Sequence, residues 1–260
     1  MKILTLLQAR TSSTRLPGKV LKDLLGQPMI LHQIQRVQRA RAIGTLCLVT
    51  STDTSDDLLV ETVGQADVMV FRGSLDDVLD RFYQAASLHA PDVVVRLTGD
   101  CPLIDPQIID QALERFQQEG CDYLSNSNPA TYPDGMDVEV FSFHALEKAW
   151  ECATLPSERE HVTAYIYKHP EQFKLSNLIN DIDLSSIRLT VDEVEDFHLV
   201  EKIYGELLPK NPEFLLTDVL KLLQQNPQWV SLNQSISRNA GYQRSILQDA
   251  LINNRVQENE

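Results

Sequence analysis

The chain has 260 residues, 43% of them hydrophobic and 23% charged, a composition typical of a globular protein long enough to bury a full core. Its formal net charge of −14 excludes a broad basic surface, so we expect no nucleic-acid partner. The hydrophobic stretch at the start, Ile3–Leu7, is shorter than a signal peptide requires, and no later run approaches the length of a membrane span. We therefore expect a cytoplasmic protein that has no membrane partner.

The charge is distributed unevenly along the chain. Residues 1–41 carry eight lysines and arginines against a single acid, Asp23, a balance of +7 that leaves −21 for the remaining residues. A protein with this charge distribution repels polyanions over most of its surface and attracts anions only where the basic residues cluster. We therefore expect the N-terminal region to bind a small anion.

Apolar runs and helical patterns alternate through the first 120 residues. Four Val/Ile/Leu-rich runs predict strands that are buried on both faces: Ile3–Leu7, Leu46–Thr50, Val68–Phe71 and Val93–Leu97. Amphipathic patterns predict helices that begin at Pro28, Leu75 and Pro106. This β-α-β-α order is typical of an α/β fold with a mostly parallel, doubly wound sheet.

The pattern is less regular after residue 120, where a polar, turn-rich segment at 125–135 predicts a substrate-facing loop. The later elements that we expect are strands at Val138–Phe141, Phe173–Leu178 and Ile187–Val191, and helices near Arg159–Lys168, at Val194–Leu208, at Leu216–Gln225 and at Tyr242–Ile252. We predict a main domain over 1–210 that contains a small β-containing insertion at about 125–180. A C-terminal helical extension would cover 211–260.

The segment from Arg10 to Lys19 directly follows the first predicted strand. It contains three cations, Arg10, Arg15 and Lys19, together with hydroxyl side chains and a Pro-Gly turn. A Walker A loop is excluded because Val20 stands where that motif requires serine or threonine, and no G-x-G-x-x-G follows the strand. Backbone N–H groups beside a helix N-terminus, with three cations nearby, suit a polyphosphate. The sequence therefore predicts a phosphate-binding loop of another kind.

Two aspartates, Asp100 and Asp192, each follow an apolar run predicted to be a strand. Ligands of open α/β sheets bind at the carboxyl ends of the strands, and carboxylates beside a polyphosphate require a cation such as Mg²⁺ between them. We therefore expect Asp100 and Asp192 to be metal ligands. Asp105 and Asp196 are better explained as residues that stabilise the first turns of the following helices.

The four cysteines, at positions 47, 101, 121 and 152, form no C-x-x-C pair, so we expect neither a zinc site nor a redox dithiol. Separated thiols of this kind fit a reducing compartment. Cys101 directly follows Asp100, and we expect it to be a small filler residue rather than a nucleophile.

A set of motifs covers nearly the whole chain: Ala9-Arg10-x-x-Ser13-Thr14-Arg15-Leu16-Pro17-Gly18-Lys19, Gly99-Asp100-x-Pro102, Tyr132-Pro133-Asp134-Gly135-Met136-Asp137-Val138-Glu139, Arg159-Glu160-His161-Val162-Thr163, Val191-Asp192 and Arg238-Asn239-x-Gly241-Tyr242. In these motifs the chain resembles the cytidylyltransferases that activate acidic sugars, which include the CMP-Kdo and CMP-sialic acid synthetases. The resemblance is greatest to the SpsF-type branch, named for spore-coat polysaccharide biosynthesis.

The resemblance implies a Rossmann-like nucleotide-diphospho-sugar transferase fold, with CTP and Mg²⁺ as co-substrates. It implies that a hydroxyl of a small sugar or sugar acid attacks the α-phosphate with loss of pyrophosphate, in cell-surface polysaccharide biosynthesis, and that the protein is a homodimer. The catalytic residues implied are Arg10, Arg15 and Lys19, and Asp100 and Asp192 match the metal-binding acids. The nucleotide-binding residues implied are Gln8, Ala9, Arg10, Ser13, Arg15, Lys19 and Thr98. Thr98 stands where the Kdo enzymes tend to carry glutamine, a departure that bears on base contacts and on sugar identity.

The sugar side of the site is predicted from the segments that follow the fourth strand. The candidate substrate-binding residues are Tyr132, Asp134, Arg159 and His161, and either Arg159 or His161 would face a sugar carboxylate. Alternatively, His161 is a helix residue that is satisfied by Glu158 or by a backbone group. The sequence shows no evident general base.

Two other functions remain open. A nucleotide-sugar-dependent glycosyltransferase shares much of this architecture, but it would carry a D-x-D motif where this chain has Asp100-Cys101-Pro102. A catalytically silent nucleotide-binding protein is the second alternative, and the presence of both Asp100 and Asp192 argues against it.

Overall fold

The fold was obtained as a computed structural model that describes residues 1–238 together with 242, 245, 246, 249 and 250. Most of the helix expected over 242–252, and the motif positions Asn239 and Gly241, lie outside these residues. Within the described ranges, no helix is long and apolar enough to cross a membrane.

A seven-stranded sheet forms the centre of the molecule. From one edge to the other its strands are β5 (Met69–Gly73), β4 (Thr45–Ser51), β1 (Ile3–Gln8), β6 (Val93–Thr98), β8 (Glu139–Ser142), β7 (Tyr123–Ser125) and β9 (Leu175–Asn177). The first four strands run parallel to one another, β8 is antiparallel to both of its neighbours, and β9 is parallel to β7. A separate hairpin pairs β2 (Asp23–Leu24) with β3 (Gln27–Pro28). The predicted mostly parallel α/β fold is thus confirmed.

The helices cover both faces of this sheet. They are α1 (Met29–Val37), α2 (Asp57–Gly64), α3 (Val78–His89), α4 (Pro106–Glu119), α5 (Phe143–Cys152), α6 (Pro156–Glu160), α7 (Ala164–Lys168), α8 (Val194–Leu207), α9 (Leu216–Gln225) and α10 (Pro227–Val230). Asp105 accepts a hydrogen bond from the Gln107 backbone N–H at 2.8 Å and Pro106 opens α4, which confirms the expected cap.

The core consists of two apolar layers, one on each face of the sheet. Successive side chains of a strand point to opposite faces, so Leu6 of β1 belongs to one layer and Leu7 to the other. The layer that contains Leu7 is covered by α1, α2, α4, α8 and α9, and the opposite layer by α3, α5 and α7. Burial on both faces explains why β1, β4 and β6 read as uninterrupted apolar runs. The same expectation for the run Val68–Phe71 was wrong, because β5 lies at the edge of the sheet and is only partly buried.

The direction of strand addition reverses between β1 and β6. From β1 the chain adds β4 and then β5 on one side, and afterwards adds β6 on the other. At this switch point Gln8 lies opposite Thr98, and the Gly99 N–H donates to the Gln8 carbonyl at 2.7 Å. A Cβ on Gly99 would lie only 2.7 Å from Cβ of Ala9, so the close approach of the two strand ends requires glycine. Ligands of open α/β sheets bind at such a position.

Several predicted elements differ from those observed. The helix expected from Leu75 begins at Val78, where Asp77 accepts a hydrogen bond from the Asp80 N–H at 2.9 Å. Three helices, α2, α5 and α10, were not predicted, and the segment near 159–168 forms two short helices instead of one.

The strand expected at Ile187–Val191 is wrong. Within the part of the chain that the structure describes, this segment forms only an isolated bridge between Asp134 and Arg188. Its backbone forms hydrogen bonds to separate segments and not to one neighbouring strand. The Leu189 N–H donates to the Asp134 carbonyl and the Val191 N–H to the Asp100 carbonyl, each at 2.7 Å. The segment therefore runs past the end of the sheet and carries Asp192 to the end of β6.

The helix predicted at Leu216–Gln225 is confirmed as α9. It packs into the same apolar layer as α1 and α4, and the Leu216 N–H donates to Oδ2 of Asp105 at 2.7 Å. The division into a domain over 1–210 and an extension over 211–260 stays a prediction.

Candidate active site

The loop after β1 is tied down at its start and closes on itself. The Thr11 N–H donates to Oδ1 of Asp56 at 2.7 Å, and this carboxylate is fully buried. The Gly18 N–H then donates to the Thr11 carbonyl at 2.9 Å, and Gly18 has φ of +68°, a conformation that glycine adopts without strain. These hydrogen bonds fix the start of the loop and bring its two ends together, with Ser13 and Arg15 between them.

The helix N-terminus expected beside this loop is not found there. Gly18 is followed by a single 3-10 turn at Lys19–Leu21 and by the β2–β3 hairpin, and α1 begins only at Met29. The prediction of a helix dipole at the phosphate site was wrong because the Pro-Gly turn leads into a tight turn, not a helix. The side chains and N–H groups of the loop itself remain the candidate phosphate ligands.

Lys19 is the central cation of the site. Its Nζ lies 3.2 Å from Oδ2 of Asp100 and 2.9 Å from Oδ1 of Asp192, and it also donates to the Val191 carbonyl at 2.7 Å. Burial alone would lower the pKa of Lys19, but the two carboxylates outweigh burial and raise it. Lys19 in turn overcomes the effect of burial on Asp100 and lowers the pKa of that carboxyl to about 2. Lys19 and Asp100 are therefore both charged at neutral pH.

Arg188 holds the second aspartate in place. Its guanidinium bonds Asp134 at 2.7 Å, Asp192 at 3.1 Å and Asp196 at 2.8 and 2.9 Å. Asp196 is fully buried in the first turn of α8, where its Oδ2 also accepts the N–H of Asp192 at 2.9 Å. Asp196 thus stabilises a helix start, as expected, and it also orients Asp192 through the backbone and through Arg188.

Asp100 and Asp192 fit a divalent cation. Both carboxylates approach a single point, now taken by the ammonium of Lys19, and carboxylate oxygens are the donors that Mg²⁺ prefers. Among the described residues, no group of three or more His, Cys, Asp or Glu side chains is arranged so that it could hold a metal ion by itself. A cation held here would therefore have to complete its coordination with phosphate oxygens and water, as Mg²⁺ in nucleotide sites commonly does.

Two cavities meet at these aspartates. The first, of about 480 Å³, is lined by the loop after β1, and we call it the loop cavity. The second, of about 490 Å³, is lined by Asp134, Asp137 and Glu139 among others, and we call it the carboxylate cavity. The residues that line both are Arg15, Thr98, Asp100, His161 and Asp192. A reaction between two ligands would take place where these five residues lie.

The structure brings all the expected nucleotide-binding residues to one place. Those that line the loop cavity are Gln8, Ala9, Arg10, Ser13, Arg15, Lys19 and Thr98. Arg10 is exposed, and within the described part of the chain it forms no ion pair. Its guanidinium is thus available to a ligand, whereas Lys19 is already bound to carboxylates.

The expected sugar-binding residues are only partly brought together. Asp134 and His161 line the carboxylate cavity, whereas Tyr132 borders a separate surface depression next to Gln111. Arg159 does not reach the site, since its Nη2 lies 2.6 Å from Oδ2 of Asp77 and its Nη1 donates to the Trp150 carbonyl at 2.8 Å. Arg159 lines neither cavity, and its role in binding a sugar carboxylate stays a prediction.

His161 follows α6 and lies between the two cavities. Its Nε2 is 2.9 Å from Oγ of Ser245, and its ring lies edge-on to Tyr242 at 5.0 Å. Burial lowers the pKa of His161, so the imidazole is neutral at pH 7. The expected alternative partner Glu158 does not bind it, and it lies instead 3.7 Å from Lys168.

Several residues of the carboxylate cavity were missed. Arg96 of β6 forms an ion pair with Glu139 of β8, and Glu139 also accepts a hydrogen bond from the Tyr123 hydroxyl at 2.6 Å. Asp137 is paired with Arg238, yet burial and neighbouring acids raise its pKa to about 7. The sequence did contain a signal for these residues, because Arg96 and Glu139 interrupt otherwise apolar strands. A charged side chain that is buried in a strand needs a partner of opposite charge.

Comparison with known proteins gives the family. A model of the family described as Cytidylyltransferase matches residues 4–238. An uncharacterised protein of Methanocaldococcus jannaschii is 38% identical over 241 residues, which are 91% of this chain and 96% of the relative. The spore coat polysaccharide biosynthesis protein SpsF of Bacillus subtilis is 32% identical over 232 residues, 86% of this chain and 95% of the relative.

Solved structures agree. A cytidylyltransferase from Leptospira borgpetersenii superposes with a TM-score of 0.85 at 34% identity, covering 92% of this chain and all of the other. A CMP:2-keto-3-deoxy-manno-octonic acid synthetase complexed with CTP shares the fold, with a TM-score of 0.61 at 15% identity over 79% of this chain and 99% of the other. These matches show that the chain belongs to the cytidylyltransferase family and is a nucleotidyltransferase.

Proposed function

We propose that this protein transfers CMP from CTP to a hydroxyl of a small sugar and releases pyrophosphate, with a divalent cation such as Mg²⁺, as a step in cell-surface polysaccharide biosynthesis. The observation that carries the proposal is the junction of two cavities at Asp100, Asp192 and Lys19. One cavity has the cations that a triphosphate needs, and the other has room for an acceptor on the far side of the same aspartates. The family assignment and the name of the Bacillus relative support the choice of CTP and of the pathway.

The loop cavity would bind the triphosphate. Arg10 supplies an unpaired guanidinium, which binds phosphate oxygens bidentately, and Ser13 and the loop backbone add hydrogen-bond donors. Lys19, at the junction, would place its ammonium where negative charge develops as pyrophosphate departs. Arg15 lines both cavities and lies 2.9 Å from Asp192, so it would bridge the phosphates and the aspartates.

Asp100 and Asp192 would hold the cation. When bound, the cation would neutralise negative charge on the phosphates. The contribution of the protein is positioning, because the rigid ends of β1 and β6 and the Arg188 ion pairs fix both carboxylates before the ligands arrive. Positioning and charge stabilisation supply most of the acceleration in transfer reactions of this type.

His161 is the side chain best placed to accept the proton of the attacking hydroxyl. It lines both cavities and is neutral at pH 7, the state in which imidazole accepts a proton. His161→Gln should lower kcat and change the acidic limb of the pH–rate profile, whereas His144→Gln, at an exposed position of α5, should change neither. An unchanged acidic limb in His161→Gln would remove this role.

The reaction is tested by measuring pyrophosphate release with CTP, UTP, ATP and GTP, each with Mg²⁺ and a panel of sugars and sugar acids. We expect release with CTP to exceed release with the other three nucleotides. Equal rates with all four would remove the base assignment. Release of free nucleoside diphosphate from a nucleotide sugar, with no pyrophosphate from CTP, would favour a glycosyltransferase instead.

The location and assembly of the protein belong to the same proposal. We infer a cytoplasmic homodimer, since the donor nucleotide is cytoplasmic and the family resemblance implies a dimer. Sedimentation equilibrium of the purified chain tests the assembly, and a monomer at micromolar concentration would contradict it.

A further inference from the structure

We propose that Ser245 and Glu160 are positioning residues for His161, which keep the proton of its imidazole on Nε2 and leave Nδ1 to accept the proton of the attacking hydroxyl. The inference deepens the proposed function and rests on it, because that function makes His161 the proton acceptor. It also gives the C-terminal region a part in the reaction, since Ser245 lies 84 residues after His161 in the sequence.

The three side chains form a chain of hydrogen bonds along the wall of the loop cavity. Nε2 of His161 lies 2.9 Å from Oγ of Ser245, and this oxygen lies 2.6 Å from Oε2 of Glu160. All three residues line the loop cavity, and His161 lines the carboxylate cavity as well. Ser245 is only 4% exposed, so these contacts are shielded from bulk water.

The number of protons decides the direction of each hydrogen bond. A serine hydroxyl has one proton to donate, and a carboxylate oxygen can only accept. The separation of 2.6 Å is typical of a hydroxyl that donates to a carboxylate, so the proton of Ser245 lies toward Glu160. Oγ of Ser245 can then only accept from the ring, and Nε2 of His161 carries the proton of the neutral imidazole. The lone pair that can take up a proton is therefore on Nδ1.

Nδ1 is also the ring nitrogen that remains for a ligand. In the part of the chain that the structure describes, Nδ1 of His161 forms no hydrogen bond, whereas Nε2 is engaged by Ser245. The ring of Tyr242 packs edge-on against the imidazole, with 5.0 Å between the ring centroids. These two contacts hold the imidazole in one orientation, which proton transfer from a hydroxyl in a defined position requires.

Glu160 would also stabilise the charge that proton transfer creates. Burial lowers the pKa of His161, and the strongest opposing effect is that of Glu160, whose Oε2 lies 3.7 Å from Nε2. Glu139 also raises the pKa of the ring, whereas Arg96 and Lys168 lower it. The imidazole is therefore neutral before the reaction, and it has a carboxylate nearby when it becomes positive. Bases in other enzymes are oriented by a third group in the same way.

The proton transfer accompanies the displacement at phosphorus. The hydroxyl oxygen of the acceptor forms a bond to the α-phosphorus, and the bond from this phosphorus to the bridging oxygen breaks, so that pyrophosphate leaves with the electron pair. The hydroxyl proton passes to Nδ1 of His161, and the imidazolium later releases it to water. Nε2 keeps its own proton throughout, because Ser245 accepts it in a hydrogen bond.

The experiment places Ser245→Ala in two backgrounds and measures pyrophosphate release at saturating CTP and Mg²⁺, with the sugar or sugar acid of the panel that reacts fastest. In the wild-type background we expect kcat to fall by about tenfold, a part of the roughly 10²–10⁴-fold that a positioned base contributes. In the His161→Gln background the same substitution should change kcat by less than about twofold, because residues that act as a unit are not additive.

The matched control is Ser231→Ala, at an exposed position, which should leave kcat unchanged in both backgrounds. An equal loss from Ser245→Ala in the two backgrounds would show that the serine acts on the structure and not through His161, and would overturn the proposal. A wild-type kcat in Ser245→Ala would overturn it as well.

A second variant tests the charge of Glu160. Glu160→Gln keeps an oxygen that can accept from Ser245 but removes the negative charge, so the pKa of His161 should fall further. The acidic limb of the kcat–pH profile should therefore move to lower pH. Glu151→Gln, at an exposed position of α5, should leave the limb in place. A limb that stays in place in Glu160→Gln would contradict the role of this carboxylate.

The same measurements separate this inference from the proposed function. A wild-type protein that releases no pyrophosphate from CTP with any acceptor of the panel would reject the proposed function and the inference together. Normal release by the wild type, combined with wild-type kcat and pH profiles in Ser245→Ala and Glu160→Gln, would reject only the positioning role.

Discussion

The loop cavity and the carboxylate cavity share five residues but differ in charge and in construction. The loop cavity takes seven of its fifteen lining residues from one short segment, Gln8 to Lys19, and offers the exposed cation Arg10. The carboxylate cavity is assembled from segments spread between Arg15 and Tyr242, and its arginines are paired with acids. Under the proposed function, a largely local motif would recognise the donor nucleotide, and residues brought together by tertiary structure would recognise the acceptor.

The largest effect is expected from a variant that removes Arg188, whose ion pairs hold residues of both cavities in place. Arg188→Met would leave the buried carboxylates of Asp134 and Asp196 without their cation, and breaking a buried ion pair costs about 3–5 kcal/mol. We expect a loss of this size in the free energy of unfolding, measured by urea denaturation. Arg41→Met, which removes an ion pair from a side chain that is 85% exposed, should cost less than about 1 kcal/mol. Equal losses in the two variants would contradict the role of Arg188 as a hub.

Lys19→Ala tests the junction of the cavities. Removal of the ammonium takes away charge stabilisation in the transition state and leaves Asp100 facing Asp192, so kcat should fall by about 10²–10³-fold. Pyrophosphate release measures the loss. Lys221→Ala, at an exposed position of α9, serves as the matched control and should keep the wild-type rate. A Lys19→Ala variant with normal kcat would remove Lys19 from the mechanism.

Two neighbouring residues at the end of β6 are expected to respond differently. Asp100→Ala removes one of the two carboxylates and should abolish most turnover and the thermal shift given by CTP with Mg²⁺. Cys101→Ala should retain turnover within a few-fold, because the thiol is buried and burial raises its pKa well above the usual value, so it is not a thiolate. An inactive but folded Cys101→Ala variant would contradict this.

A smaller effect is expected from Arg10, which acts on the nucleotide alone. Loss of one charged hydrogen bond to phosphate in Arg10→Ala should raise KM for CTP by about tenfold, since such bonds contribute about 1.5–3 kcal/mol. The KM for the acceptor should stay unchanged, which separates the two cavities. Steady-state kinetics with each substrate varied in turn provides the measurement, and a rise in the acceptor KM alone would reverse the assignment of the cavities.

The smallest effect concerns pH and the carboxylate cavity. Because the pKa of Asp137 is raised to about 7 in the folded state, the folded protein binds more protons than the unfolded chain between about pH 4 and pH 7. Stability should therefore fall as pH rises through this window, by an amount on the order of 1 kcal/mol after solvent screening of this partly exposed side chain. Asp137→Asn should lose this part of the pH dependence in urea denaturation. Identical profiles for the variant and the wild type would contradict the raised pKa.

Much of the parallel half of the fold follows from the sequence. Strands such as β6 (Val93–Thr98) are buried on both faces and therefore form uninterrupted apolar runs. The start of α4 is predicted by its N-cap Asp105 and its first residue Pro106. The segment at Ile187–Val191 has the same apolar character but is no strand, because it is buried by contact with the ends of other elements and not by a neighbouring strand. The apolar character of a segment therefore predicts that the segment is buried, but it does not predict which element packs against it.

The two cavities show the same limit. Seven of the residues that line the loop cavity lie between Gln8 and Lys19, so their closeness in the structure follows from their closeness in sequence. From the sequence, Arg159 is equally available to a ligand. Its position next to Asp77 depends on how α3 and α6 pack, and no local sequence pattern predicts that packing. Likewise, the pairing of Arg96 with Glu139 depends on the antiparallel register between β6 and β8.

The most direct test is a crystal structure of the protein with CTP and Mg²⁺. The account predicts the triphosphate against Arg10 and Lys19 in the loop cavity, the cation on Asp100 and Asp192, and the carboxylate cavity open on the other side of the α-phosphate. Phosphate density beside Asp137 and Glu139, or a nucleotide that makes no contact with the segment from Arg10 to Lys19, would contradict it.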